Sequence, residues 1–157
     1  MLAGPERGLM EPYIIERPDG GLRMWMRTQM SSQYESVSED AGVTWSEAAP
    51  GPLVSPESPV AIARHEATGL LMVVWNHNRR GHHTTDRTPI CAAFSDDEGE
   101  SWFGEQRLDP SPELENEMCS FSYPSANFFG DRGFVTYYEN RDRRISLVFR
   151  RFEICVE

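Results

Sequence analysis

The chain has 157 residues, of which 39% are hydrophobic and 11% aromatic, and this is enough for one domain with a buried core. Its net charge of −10 argues against nucleic-acid binding, because a phosphate backbone would be repelled. No apolar run approaches the ~18 residues of a membrane helix. The first residues show no signal-peptide pattern, and the sequence leaves the cellular location open.

Strand-like runs separated by turn sequences recur along the chain and indicate a structural repeat. The first run, residues 11–16, leads through a Pro-Asp-Gly turn to residues 22–27, and a further run begins at Gln33. The same order begins again at Ser58 and a third time at Tyr123. We predict a single domain, residues 1–157, with repeat units at approximately 9–50, 57–108 and 121–157.

Two stretches, residues 38–45 and 95–102, share the pattern Ser-x-Asp-x-Gly-x-Thr/Ser-Trp, and each follows a strand-like run. The Asp carboxylate is suited to accept hydrogen bonds from nearby backbone N–H groups, and the Gly can take a positive φ. The Trp ring then has an apolar face to bury under the turn. We therefore expect a structural role for the pattern residues Ser38, Asp40, Gly42, Thr44, Trp45, Ser95, Asp97, Gly99, Ser101 and Trp102.

This pattern resembles the Asp box, or BNR repeat, of the sialidase superfamily. The resemblance implies an all-β fold, a sialidase-type β-propeller of about three four-stranded antiparallel blades that form a partial ring. It extends over nearly the whole chain but corresponds to the later half of such a domain. In the family the boxes lie on the rim away from the active site, so they identify the scaffold and not the chemistry.

A partial ring has an unpaired strand edge at each end, which favours self-association. Three interpretations follow from this. The chain is a fragment of a longer protein, it pairs with a second copy to complete a ring, or it closes in a different way. We favour the fragment, and self-association through the open blade edges is the alternative.

The resemblance also implies a chemistry, the retaining hydrolysis of sialosides. In the family an arginine cluster holds the sugar carboxylate, a tyrosine activated by a glutamate is the nucleophile, and an aspartate of an early blade is the acid/base. Tyr123 stands in a Tyr-Pro stretch similar to one common in the family, and we expect it to be catalytic. Glu11, at the start of an inner strand, is the expected catalytic glutamate. Arg27 follows an apolar run and is the expected carboxylate-binding arginine.

Four further residues are candidates for substrate binding, and an ordinary structural role competes with each. Arg144 is a candidate second cationic contact, although it also fits a basic hairpin tip. Tyr137 and Tyr138 face opposite sides of a strand, so only one of them can point inward, and Tyr137 is the candidate. Gln33 and Asn76 are neutral polar candidates for contacts with sugar hydroxyls.

Two classes of function stay open. The first is a sialidase-like exo-glycosidase domain, or a fragment of one, that recognises terminal acidic sugars. The alternative is a non-catalytic carbohydrate-binding or protein-interaction segment. The expected partner is a carbohydrate, sialic-acid-like or another glycan, and we expect neither nucleic acid nor a membrane. The histidines and cysteines show no metal-ligand spacing, so we expect no metal and no cofactor.

Overall fold

The computed structural model describes residues 8–78, 87–109 and 119–153. Within these ranges the chain forms strands only, as the alternating apolar pattern indicated. No helix there is long and apolar enough to cross a membrane. The strands are β1 (Met10–Glu16), β2 (Leu22–Arg27), β3 (Ser32–Ser38), β4 (Ala49–Val54), β5 (Ala61–Arg64), β6 (Leu71–Asn76), β7 (Ile90–Ser95), β8 (Phe103–Arg107), β9 (Cys119–Phe129), β10 (Arg132–Arg141) and β11 (Arg144–Glu153).

The strands form three antiparallel sheets in which sequence neighbours are also neighbours in space. The first sheet has the order β1-β2-β3-β4, the second β5-β6-β7-β8 and the third β11-β10-β9. The three sheets form an unclosed ring, so the expected all-β, propeller-type fold is confirmed. In the described residues the third sheet has three strands and not four, and the sequence has no Asp box after β11.

The second sheet is buried on both faces at β5, β6 and β7, whereas its edge strand β8 is exposed. The reason is that β6 and β7 are apolar at successive positions. Side chains alternate between the faces of a strand. In β6, Leu71, Val73 and Trp75 pack with Trp25 of the first sheet. The intervening residues of β6 pack instead against the third sheet, in a cluster that includes Phe121. One core therefore lies on each side of the second sheet.

The Ser, Asp, Gly and Thr/Ser positions of the two Asp-box turns form matching hydrogen bonds. The tryptophans differ, because the Trp45 indole N–H donates to Gly42 O at 3.1 Å whereas that of Trp102 has no partner in the described residues. In the second box, the Asp97 carboxylate accepts hydrogen bonds from the Ser101 N–H at 2.9 Å and the Ser95 hydroxyl at 2.8 Å. The Gly99 N–H donates to Ser95 Oγ at 2.8 Å. Hydrogen bonds from the Ser101 side chain and backbone lower the pKa of Asp97 to about 2. Each turn is thus closed by groups of its own eight residues.

The second box also packs against the first sheet. The rings of Trp102 and Trp25 meet edge to face, with their centroids 6.3 Å apart. Gly99 has a φ of +85°, and a Cβ added there would lie 2.6 Å from Cζ2 of Trp25. Because Trp25 is fully buried, the turn can approach the first sheet this closely only with glycine at position 99.

We expect Gly99→Ala to lower the free energy of unfolding by about 3 kcal/mol, the combined cost of a strained φ and of overpacking against a buried ring. Gly69→Ala is the matched control, since Gly69 has a φ of +76° but no atom within 4 Å of an added Cβ. It should cost about 1 kcal/mol. Urea unfolding of both variants measures the difference, and equal losses would contradict the close approach to Trp25.

Candidate functional site

Two β-bulges place an acidic and an aromatic side chain at the site. The pairing of β1 with β2 is interrupted at Glu11 and Pro12, and the pairing of β9 with β10 is interrupted at Tyr123 and Pro124. Glu11 has a φ of 46° and Tyr123 a φ of 50°. Proline has no N–H for the ladder, and a bulge changes the direction of the side chains beside it. The X-Pro pairs in the sequence therefore produce the same local irregularity in two different sheets.

Arg27, the last residue of β2, joins two carboxylates in a buried position. Its Nη1 donates to Oε2 of Glu11 at 2.8 Å, and its Nη2 lies 3.1 Å from Oε1 of Glu57. The side chains of Arg27 and Glu57 are only 6% and 3% exposed, whereas that of Glu11 is 38% exposed. The buried half of this ion-paired group is thus Arg27 with Glu57, and Glu11 faces solvent.

Arg87 brings a second buried guanidinium to the same place. Its Nη2 donates to the backbone carbonyl of Glu57 at 2.9 Å. Its Cζ lies 5.8 Å from the centroid of the Tyr123 ring, within the range of a cation–π contact. Tyr123 itself is 55% exposed. Among the described residues no carboxylate forms an ion pair with Arg87.

The electrostatic environments of the two arginines differ. Burial disfavours the charge of Arg27, but the hydrogen bond and charge of Glu11 and the charge of Glu57 raise its pKa above the usual value. Burial and the positive charge of Arg27 lower the pKa of Arg87 below the usual value. Both guanidinium groups contact Glu57, Arg27 at the side chain and Arg87 at the backbone carbonyl. Arg87 therefore carries a cationic charge that its neighbours compensate incompletely.

The groups described so far form one cluster, which we call the arginine cluster: Glu11, Arg27, Glu57, Arg87 and Tyr123. They come from the first and third sheets and from the segments that precede β5 and β7 of the second sheet. The site thus contains two cations, one exposed phenol and one exposed carboxylate. Such an arrangement can bind an anion between the guanidinium groups while a phenol oxygen lies beside it.

Three of the residues predicted from the sequence, Glu11, Arg27 and Tyr123, lie in the arginine cluster. Asn76 lies beside it and is fully buried. Its Nδ2 donates to the carbonyl of Arg87 at 2.8 Å and to the carbonyl of Phe121 at 3.2 Å. Asn76 thus fixes the backbone of Arg87 relative to β9, two residues before Tyr123.

The other three predicted residues have different surroundings. Gln33 is buried, and its Nε2 donates to Ser58 O at 2.7 Å. Tyr137 is 1% exposed and packs edge to face with Phe121 in the core between the second and third sheets. Arg144 is exposed and pairs with Arg141 at the β10–β11 hairpin. These side chains stabilise sheets or lie at a hairpin, and no hydrogen bond of the described residues joins them to Arg27 or Arg87.

Sequence reasoning missed Glu57 and Arg87. Both lie in segments between strands, where charged residues are common and carry no periodic signal. One signal was present for Arg87, which stands three residues before the apolar strand β7, as Arg27 stands at the end of an apolar strand. A charge next to an apolar strand would have been the pattern to search for in both places.

Comparison with protein families gives one match over most of the chain. Residues 3–135 match the family described as BNR repeat-like domain. Comparison with curated proteins gives no match. The matched range contains both Asp boxes and all five residues of the arginine cluster, so that family and site coincide along the sequence.

Solved structures with this fold include glycosidases of different specificity. Trypanosoma rangeli sialidase gives a TM-score of 0.73 at 18% identity, over 92% of this chain and 23% of that chain. The NanB sialidase of Streptococcus pneumoniae gives 0.70 at 16% identity, with the same coverages of 92% and 23%. Penicillium chrysogenum α-L-arabinanase complexed with arabinobiose gives 0.68 at 14% identity, over 96% and 48%. At these identities the likeness shows the fold alone, and this chain spans less than half of each structure.

We expect Glu57→Gln to lower the free energy of unfolding by about 3 kcal/mol, because loss of one partner leaves the buried charge of Arg27 poorly compensated. Glu11→Gln makes the same chemical change on the exposed side of Arg27 and should cost less than about 1 kcal/mol. Urea unfolding of the two variants is the measurement. A cost for Glu11→Gln as large as that for Glu57→Gln would contradict the division into a buried and an exposed partner.

Proposed function

Because the chain belongs to the family of BNR repeat-like domains, we propose that the arginine cluster is part of a sialidase-like glycosidase site. Its substrate is a terminal acidic sugar, and the sugar carboxylate binds to Arg27 and Arg87. The observation that carries the proposal is the pair of buried guanidinium groups beside the exposed ring of Tyr123. The alternative is a carbohydrate-binding segment that uses the same cluster without catalysis.

The carboxylate of the sugar supplies the negative charge that Arg87 lacks among the described residues. A planar guanidinium matches a carboxylate in a bidentate manner, and hydrogen bonds between charged groups are stronger than neutral ones. The cluster is held in place before any ligand arrives, because Glu57 and Asn76 fix Arg27 and Arg87 from the buried side. Little ordering of side chains is therefore needed for binding.

Tyr123 is the proposed nucleophile, and Glu11 is its proposed proton acceptor. A neutral phenol approaches an anionic sugar without the repulsion that a carboxylate would experience, and sialidases use tyrosine in this role. The phenol oxygen forms a bond to the anomeric carbon, its proton passes to the Glu11 carboxylate, and the glycosidic C–O bond breaks. The leaving oxygen takes its proton from a general acid, which the family places on an earlier blade. Water then attacks the anomeric carbon and gives a proton to the same general acid, now its conjugate base. The bond to the phenol oxygen breaks, and Glu11 returns its proton to Tyr123.

We expect the chain to bind 3′-sialyllactose and not lactose in isothermal titration calorimetry. Arg87→Ala should weaken the binding about 100-fold, because it removes hydrogen bonds between charged groups worth about 2.7 kcal/mol. Arg151→Ala is the control, since Arg151 is an exposed arginine of β11 with a side chain 58% exposed. Circular dichroism confirms that each variant is folded.

A second pair of variants separates catalysis from binding. Tyr123→Phe should leave the affinity for 3′-sialyllactose unchanged and abolish any hydrolysis that the chain performs. Tyr138→Phe changes an exposed tyrosine of the same sheet and should alter neither the affinity nor the hydrolysis. Binding without turnover in the parent chain favours the carbohydrate-binding alternative. Equal affinity for lactose, for arabinobiose and for 3′-sialyllactose would overturn the assignment of an acidic sugar.

A further inference from the structure

Three potential metal ligands lie on one face of the second sheet. Cys91 of β7 pairs with Trp75 of β6 on one side and with Arg107 of β8 on the other. His77 follows Trp75 by two residues and Glu105 precedes Arg107 by two, so each lies on the same side of its strand as those neighbours. The three side chains therefore come from β7, from β8 and from the residue that directly follows β6.

The ligand atoms of these residues are close enough to share one ion. The histidine nitrogen, the thiol sulfur and a carboxylate oxygen all lie within 4.8 Å of one another. Nδ1 of His77 and Oε1 of Glu105 are 2.7 Å apart. Cys91 is fully buried, whereas the side chains of His77 and Glu105 are 36% and 45% exposed. The buried sulfur thus lies beneath two polar groups that solvent reaches.

A cavity of about 320 Å³ lies beside these groups, and His77 and Glu105 are part of its wall. Trp75 and Trp102 form apolar parts of the same wall. The Trp75 ring stacks on the His77 imidazole with centroids 5.5 Å apart and planes 28° from parallel. The stacking restricts the orientation of the imidazole, and the cavity gives a small molecule or an ion access to it.

We propose that His77, Cys91 and Glu105 bind one divalent first-row metal ion, with Zn²⁺ as the best match, and that a fourth coordination position faces the cavity. Imidazole nitrogen, thiolate sulfur and carboxylate oxygen are the ligand types that zinc accepts together. Sites with three protein ligands leave the fourth position to water or to a ligand. The cavity can therefore present an oxygen of a bound molecule to the ion.

Binding has a defined proton balance. The Cys91 thiol releases its proton to solvent and becomes the thiolate, and His77 coordinates through an unprotonated Nδ1. The contact between His77 and Glu105 is then replaced by two bonds to the ion. The competing interpretation is a simple histidine–glutamate contact above a buried thiol, and it predicts no specific metal affinity.

The sequence did not reveal this group because its spacing is wide. Cys91 follows His77 by 91 − 77 = 14 residues, and Glu105 follows Cys91 by 105 − 91 = 14 residues. Short metal motifs, as in zinc fingers, have only about 2–5 residues between two ligands of the same loop or helix. Here only the pairing of β6, β7 and β8 brings the ligands together.

The test is a titration with Co²⁺, whose bond to a thiolate produces charge-transfer absorption in the near ultraviolet. The parent chain carries Cys155→Ala, so that this thiol, outside the described residues, contributes nothing. We expect one Co²⁺ per chain with the thiolate band, and displacement of Co²⁺ by Zn²⁺. Cys91→Ala should abolish the band, and Cys119→Ala, a change at the other buried cysteine, should leave it intact.

A second pair of variants tests the proposal without a change at the buried residue Cys91. Glu105→Gln should weaken Zn²⁺ binding by at least about tenfold, the loss that even a supporting group causes. Glu100→Gln is its control, since Glu100 lines the same cavity with a side chain 72% exposed. Absence of a thiolate band in the parent, a band that survives Cys91→Ala, or equal weakening by the two glutamate variants would each overturn the proposal.

Discussion

Strands β5, β6 and β7 of the second sheet are buried on both faces, and the positions of the other two sheets follow from this constraint. A sheet that is apolar on both faces needs a cover on each side, since water cannot solvate either one favourably. Trp25 and Leu53 of the first sheet cover one face, and Phe121 and Tyr137 of the third sheet cover the other. This packing brings β5 into contact with both β1 and β9, so that side chains at the ends of these strands converge.

The arginine cluster lies where these strand ends converge. Its two guanidinium groups place positive charge at one point of a chain whose net charge is negative. The chain as a whole carries −10, yet Arg27 and Arg87 are both buried and both contact Glu57. Of these two arginines, only Arg27 forms ion pairs with carboxylates of the described residues. A local field of this kind can attract an anion that the rest of the surface repels. Glu57 stabilises the cluster from its buried side. On the solvent side lie two polar groups, the Glu11 carboxylate and the Tyr123 phenol.

The scaffold was predictable from the sequence, and the site only in part. The Asp boxes and the alternating strands predicted the BNR repeat and the all-β fold, and both are confirmed. Glu11 was predicted because it begins an inner strand, and Tyr123 because its Tyr-Pro stretch resembles one of the family; both lie in the arginine cluster. Glu57 and Arg87 were not found, because segments between strands give no pattern that relates them to another sheet. Tyr137 lies in the core because β10 packs one face on the second sheet, and alternation alone does not say which face that is.

The central claim is that Arg27 and Arg87 together bind a carboxylate. The most direct test is a crystal structure of this chain from crystals soaked with 3′-sialyllactose. We expect the sugar carboxylate to lie within about 3 Å of guanidinium nitrogens of both arginines, with the sugar ring beside Tyr123. A carboxylate bound to neither arginine, or a sugar bound on another surface while the cluster keeps its geometry, would contradict the claim.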